Sequence, residues 1–304
     1  MRGKLPYMKH KELKSVVEKE VDGLSQYAGK IPAGYDAEDI HKFRVGYKKL
    51  RAFIRLVHVG NGKKPLKQVK HVYAAAGEVR DRQIQLQIIT DWLERDGYEK
   101  AVYPGILKNE IEEATRNLQE AISGFPFHHL AEKLVEVLPE RLSDDTITGF
   151  VHRQVEGFYS NIKDNATNEQ LHTARKHLKD IIYNAAYLRA GKKDALFLEQ
   201  QEDVKKLATL LGDYHDKNML IAQLCMVPEE KMPVEECKSI QHFLEQLYRE
   251  KGMLRKDIAE ALQKLLDKAA KSSLSTAAQA GLLISSALVS GLAVFFLNYI
   301  RRRD

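Results

Sequence analysis

Apolar residues recur every three or four positions along most of this chain, and Pro and Gly gather in short breaks between the periodic segments. The breaks are IPAGYD at 31–36, GNGKKP at 60–65, YPG at 103–105, GFPF at 124–127, AGKKD at 190–194 and VPEEKMP at 227–233. Strand-type alternation of β-branched residues is scarce. The pattern predicts an all-α fold of about eight helices, most of them roughly 15–30 residues long. One segment stands apart. Residues 40–55, IHKFRVGYKKLRAFIR, hold six Lys/Arg and one His with no acid among them.

Projected on a helix at ~100° per residue, His41, Arg44, Lys48, Arg51 and Arg55 fall within an arc of roughly 80°. Phe43, Tyr47, Leu50 and Ile54 form an adjacent apolar face, and Val45, Ala52 and Leu56 border the strip on its other side. Only Lys42 and Lys49 point elsewhere, toward the solvated face. An ordinary solvated basic face mixes signs, with Glu spaced to pair with Lys along the helix. Here like charges lie between shoulders that favour burial, an arrangement that invites an anion.

The strip has a weaker copy. LHTARKHLKDI at 171–181 resembles IHKFRVGYKKL at 40–50, displaced by 131 residues. HRQVEGF at 152–158 resembles EKEVDGL at 18–24, displaced by 134, and GDYHDKN at 212–218 resembles GEVRDRQ at 77–83, displaced by 135. Three matches in one order at nearly constant displacement predict two similar helical halves, divided near 141–146. In the second half His172, Arg175 and Lys179 repeat the strip beside Leu171, Ala174, Leu178 and Ile181. Lys176 lies near it, and His177 is expected in solvent. Where Arg51 and Arg55 stand in the first copy, the second has Ile182 and Ala186. A pseudo-twofold packing of the halves would turn both strips toward one cationic cleft.

Bulk composition adds little. Lys+Arg number 48 against 42 Asp+Glu, and the terminal RRRD alone supplies +2 of the net charge of +6. Cys225 and Cys237 follow no metal or redox spacing, so a reducing cytosol is the expected compartment. The first residues lack an apolar core of signal-peptide length. No phosphate-binding Gly-rich loop, dinucleotide fingerprint or H-E-x-x-H is present. Residues 272–300 contain no Asp, Glu, Lys, Arg or His, and 281–300, GLLISSALVSGLAVFFLNYI, has the roughly 20 residues needed to cross a bilayer. Lys and Arg flank this stretch on both sides, so the expectation is a membrane anchor of unset orientation, in preference to a buried C-terminal helix of the domain.

H-x-x-R-V-x-x-K-K-L-R at 41–51 and H-x-x-R-x-x-x-K at 172–179, together with GEVRD and LLGDYHD, resemble the CHAD family of conserved-histidine α-helical domains, over about residues 10–265. The resemblance implies two pseudo-symmetric four-helix-bundle halves, 10–143 and 144–265, with 272–304 as linker and C-terminal anchor. It also implies binding of inorganic polyphosphate through basic residues of a central groove. The implied contacts are His41, Arg44, Lys48, Arg51, Arg55, Arg80, His172, Arg175, Lys176 and Lys179. Ile182 stands where the family usually has Arg, and His215 takes the place of Arg80, so a weaker grip is expected from the second half.

The chemistry of the strip suits that ligand. Polyphosphate carries about one negative charge per residue and no base to read, and 41–55 spans about 21 Å, enough to meet several successive phosphates. Arg offers forked, charge-assisted hydrogen bonds and Lys a point charge. Asp81 and Asp216 are read as capping or orienting groups, not as a magnesium site, because no clustered acidic metal site accompanies them. A metal held by His41 and His172 is disfavoured by the surrounding positive charge. The expectation is therefore a cytoplasmic, membrane-tethered module that binds polyphosphate without catalysis, metal or cofactor. Nucleic-acid binding is one alternative, disfavoured by the few aromatics on the strip; polyphosphate hydrolysis or phosphotransfer is another.

Overall fold

The computed structural model of the chain describes residues 8–57, 63–163, 165–188, 195–274 and 292–294. Helices dominate, as the apolar periodicity predicts. α1 (His10–Lys30), α2 (Ala37–Leu56), α3 (Lys63–Arg95), α4 (Tyr103–Ser123) and α5 (His128–Val135) come first. α6 (Asp144–Asn161), α7 (Asn168–Leu188), α8 (Ala195–Leu224) and α9 (Val234–Leu274) follow. Two short strands, β1 (Met8–Lys9) and β2 (Arg141–Leu142), pair with each other.

The two helices that carry the basic strips are both capped from their own sequence. Asp36 opens α2 by accepting hydrogen bonds from the backbone N–H groups of Glu38 and Asp39, at 2.9 and 3.1 Å. Tyr35 before it adopts a left-handed backbone (φ 52°), and Gln83 of α3 donates to its carbonyl at 2.9 Å, which holds that turn in place. Ahead of α7, Thr167 and Gln170 bond each other's backbone N–H reciprocally, a capping box immediately before the strip begins.

The described structure divides into two compact units. One contains Lys9–Glu140 together with Leu220–Leu247; the other contains Met8, Arg141–Met219 and the described residues from Tyr248 on. Helices α8 and α9 thus each contribute to both units. In the first, the amino-terminal unit, α1 packs on α2, α2 on α3 and α3 on α4. Ile89, Leu93, Leu107, Ile221 and Phe243 centre a core that joins α3 and α4 to the end of α8 and the start of α9. Trp92 stacks on Phe243 at 4.4 Å and donates its indole N–H to Ser239. In the carboxy-terminal unit α6 packs on α7.

The duplicated elements reappear at these crossings with one exchange. Where α1 meets α2, Gly46 faces Leu24; a Cβ at Gly46 would lie 3.3 Å from the leucine Cδ2. At the matching crossing of the other unit the small residue sits on the opposite helix. Gly157 of α6 receives the ring of His177, which occupies the position equivalent to Gly46. His177 is half-buried there, with Nδ1 2.7 Å from Gln154 Oε1, and does not project into solvent as expected. A Cβ on Gly157 would come within 2.5 Å of the ring. Gly157→Ala should therefore lower stability by about 1–2 kcal/mol despite the better helix propensity of Ala. Adding His177→Ala should recover most of that loss in thermal melts; no recovery would show that the ring is not the obstacle.

The expected C-terminal transmembrane helix requires correction. Among the described residues no helix is long and apolar enough to cross a membrane. The last long helix, α9, carries charged side chains along much of its length, including Arg249, Lys251, Asp257, Glu260 and Lys264. Residues 281–300 lie outside the described residues except for 292–294, where Leu292 and Ala293 are fully covered by this chain's own atoms. Placement of the chain as a cytoplasmic domain on a single C-terminal anchor is withdrawn on the same grounds.

Candidate functional site

In α2 the helical-wheel reading of the apolar positions holds except at Val45, which is only half-buried. Phe43, Tyr47, Leu50, Ile54, Ala52 and Leu56 are all buried. Arg44, Lys48, Arg51 and Arg55 are half-buried between those faces, and His41 at the helix start is exposed. Lys42 is exposed and faces Glu38 at 3.5 Å, outside the strip as its angle predicted, but Lys49, expected on the solvated face, is half-buried.

Arg44 is tightly held. Its Nη1 donates to the Tyr73 carbonyl of α3 at 3.1 Å, and its guanidinium lies over the Tyr73 ring, 4.6 Å from the centroid. Gly77, one turn further along α3, makes room for it: a Cβ there would collide with Arg44 Nη1. Tyr73 stacks on Tyr47 at 4.5 Å, and Arg51 lies over the Tyr47 ring at 5.6 Å. Burial pushes the Tyr47 hydroxyl above its ordinary range, an effect that the positive charge of Arg51 partly offsets. Arg80, also on α3, is half-buried. The Nε atoms of Arg51 and Arg80 are buried with no hydrogen-bond partner among the described residues. The next arginine behaves differently: Arg82 is neutralised by Glu110 at 3.2 Å.

The carboxy-terminal unit repeats the plan in reduced form. Arg175 of α7 passes Gly212 of α8, as Arg44 passes Gly77, but at an ordinary contact distance of 3.6 Å from the position of a Cβ. Its Nε is likewise buried without a hydrogen-bond partner among the described residues. His172 stacks on His215 of α8 with centroids 4.0 Å apart and rings 24° from parallel. Lys179 is half-buried; burial, and then the neighbouring Arg175 charge, lower its ammonium below the usual lysine range. Lys176 is exposed.

Helix α9 adds two cations that the strip analysis does not include. Lys251 donates to Asn218 Oδ1 at 2.6 Å and lies over the Tyr214 ring, and Arg255 donates to the Ala166 carbonyl at 2.7 Å. Burial lowers the Lys251 ammonium, with a further contribution from Arg255. The tyrosines had no sequence signal of function, because a buried helical aromatic reads as core. Gly77 and Gly212 did carry one, as the leading residues of GEVRD and GDYHD, but their role as guanidinium seats needed coordinates.

A cavity of about 460 Å³ opens in the carboxy-terminal unit between α8 and α9, lined by Asp203, Lys206, Asp257, Glu260 and Lys264 among others. Its mixed charge does not suit a polyanion. Asp203 is bound there by Lys264 at 2.9 Å and Lys268 at 2.5 Å. Burial alone would raise the Asp203 carboxyl, but hydrogen bonds from Lys268 and Lys264 outweigh it and hold the group below its ordinary value. A depressed carboxyl stabilises the fold above its unfolded value near ~3.9, and that stability is lost as pH falls through the folded value. Asp203→Asn should thus cost about 1–2 kcal/mol at pH 7, allowing for the exposure of Lys264. In urea melts the difference from wild type should narrow as pH falls through the depressed folded value; a gap that does not narrow in acid would contradict the assignment. Among the described residues no three His, Cys, Asp or Glu side chains group as metal ligands would.

An all-helical fold with a repeated half-buried cationic helix face defines the class: a duplicated α-helical domain built around basic strips. A family model, CHAD domain, matches residues 15–225. The chain belongs to the CHAD domain family. The fold is also similar to the crystal structure of the CHAD domain from the plant Ricinus communis, with a TM-score of 0.65, 13% identity, and coverage of 86% of this chain and 93% of that one. PptA from Streptomyces chartreusis gives a TM-score of 0.62 at 12% identity, covering 84% of this chain and 99% of the other. Among curated protein sequences none matches the chain.

Proposed function

We propose that this protein binds inorganic polyphosphate along its basic helix faces and does not transform it. The observation that supports this reading is a set of half-buried cations, Arg44, Arg51, Arg80, Arg175 and Lys179, none with an ion-pair partner among the described residues. Partial burial of unneutralised like charge is unfavourable for folding, and a bound polyanion relieves it. The apolar shoulders confine the charge to narrow strips, which fits a flexible chain of phosphates better than a rigid duplex. His41, Lys48, Arg55 and His172 lie on the same strips.

Titration with long-chain polyphosphate tests the reading. Binding should weaken steeply as salt rises from 50 to 300 mM, because the interaction is between charges near solvent. RNA or DNA at equal phosphate concentration should compete poorly; efficient displacement would favour a nucleic-acid binder. After incubation with magnesium, polyphosphate should keep its chain length on a gel, and shortening would make the protein a hydrolase or phosphotransferase.

A further inference from the structure

In the amino-terminal unit four side chains form one continuous stack: Arg44 over Tyr73, Tyr73 on Tyr47, and Arg51 over the other member of the pair, Tyr47. The base of the stack is fixed by the core, since Tyr47 is 2% exposed and directs its hydroxyl to the Leu66 carbonyl. Arg44 and Arg51 are seven residues apart on α2, two turns or about 10.5 Å. Each would otherwise sample many rotamers, and ordering them on ligand arrival costs affinity.

A carboxylate could order an arginine equally well, but it would cancel the charge and compete with phosphate for the guanidinium. A tyrosine face orders it through the negative ring quadrupole and leaves its net charge in place. The other unit lacks the pair. Arg175 and Gly212 retain the places of Arg44 and Gly77, yet Leu178 stands for Tyr47, Ala208 for Tyr73 and Ile182 for Arg51. Both tyrosines and the second arginine are missing together.

We infer that Tyr73, with Tyr47, is a positioning residue of the anion site: the pair sets Arg44 and Arg51 in place before the ligand arrives. This makes the amino-terminal unit the tighter of the two binding surfaces. The inference rests on the polyphosphate reading for its ligand, while the stack itself can be tested without one. With long-chain polyphosphate as probe, Tyr73→Phe keeps the ring face and should retain wild-type affinity, whereas Tyr73→Leu should weaken binding about three- to tenfold. The slope of log affinity against log salt should stay at the wild-type value in Tyr73→Leu, because no charge is lost, and should fall in Arg44→Ala. Gly77→Ala leaves both tyrosines untouched and pushes Arg44 Nη1 from its seat, so it should reproduce the loss even where Tyr73→Leu proves poorly folded. Equal affinity of wild type, Tyr73→Leu and Gly77→Ala would overturn the inference. So would an equal loss in Tyr73→Phe and Tyr73→Leu. Should wild type bind no polyphosphate, the functional reading fails, and the stack is judged by nitrogen-15 relaxation of the Arg44 Nε–H group. Its order should drop in Tyr73→Leu, and unchanged order would refute the positioning role.

Discussion

Replacing Arg44, Lys48 and Arg51 together by Ala is expected to abolish measurable polyphosphate binding while leaving the protein helical. The three residues occupy two turns of one helix face, and charge-assisted hydrogen bonds to phosphate contribute about 1.5–3 kcal/mol each. Losing three therefore removes on the order of 5–8 kcal/mol, a drop of several thousandfold or more. The fold should tolerate the change because the apolar face of α2, from Phe43 to Ile54, is untouched and Ala favours helix. Stability should hold or rise, since the substitutions relieve repulsion among half-buried cations. The matched variant of the other unit, Arg175→Ala with Lys179→Ala, should weaken binding less. Fluorescence anisotropy with labelled polyphosphate and circular dichroism read both quantities. Retained affinity in the triple variant would displace the site from α2.

The largest expected effect on stability comes from a residue outside the basic strips. Glu236, in the first turn of α9, is 1% exposed, and its two carboxylate oxygens accept from the backbone N–H groups of Val102 and Tyr103, each at 2.8 Å. Those donors open α4, where they have no intrahelical acceptor and no side-chain cap of their own. A carboxylate at a helix N-terminus also meets the favourable end of the helix dipole. Beside it Gln85 donates to the Tyr103 hydroxyl at 2.6 Å, and burial pushes that phenol up to about 12, with a contribution from Glu110. Glu236→Ala strands one buried donor, on Tyr103, and one partly buried donor, on Val102, and should cost about 3 kcal/mol, lowering Tm by roughly 5 °C or more. Glu236→Gln keeps one acceptor and should fall between. A Tm for the Ala variant within 1 °C of wild type would show that α4 does not depend on this cap.

The fold was legible where local rules act alone. Apolar spacing placed the helices, and the breaks at 31–36, 124–127 and 227–233 fall between α-helices in the structure, whereas the break at 60–65 runs into the start of α3 at Lys63 and 190–194 lies outside the described residues. The break at 103–105 is instead the first turn of α4, where Pro104 is tolerated because its missing N–H would have had no acceptor. The strip on α2 was legible for the same reason, since angular position follows from residue number in a regular helix. His177 was misjudged because its exposure depends on Gly157, a residue on another helix. The transmembrane expectation rested on composition, and apolar residues seek cover from water without specifying lipid or protein as the cover.

By itself, then, the sequence determined the helices, the duplication with its displacements of 131–135 residues, and the confinement of charge to one face of α2 and its weaker copy on α7. These depend only on the chain's own periodicity. Tertiary structure decided which cations are held and by what. Arg44 is placed by Tyr73 and Gly77, Arg175 lies beside Gly212, His172 meets His215, and α4 is capped by a carboxylate 134 residues from Val102. Each depends on the close approach of two different helices, and the spacing within either helix does not encode which side chain the other will present.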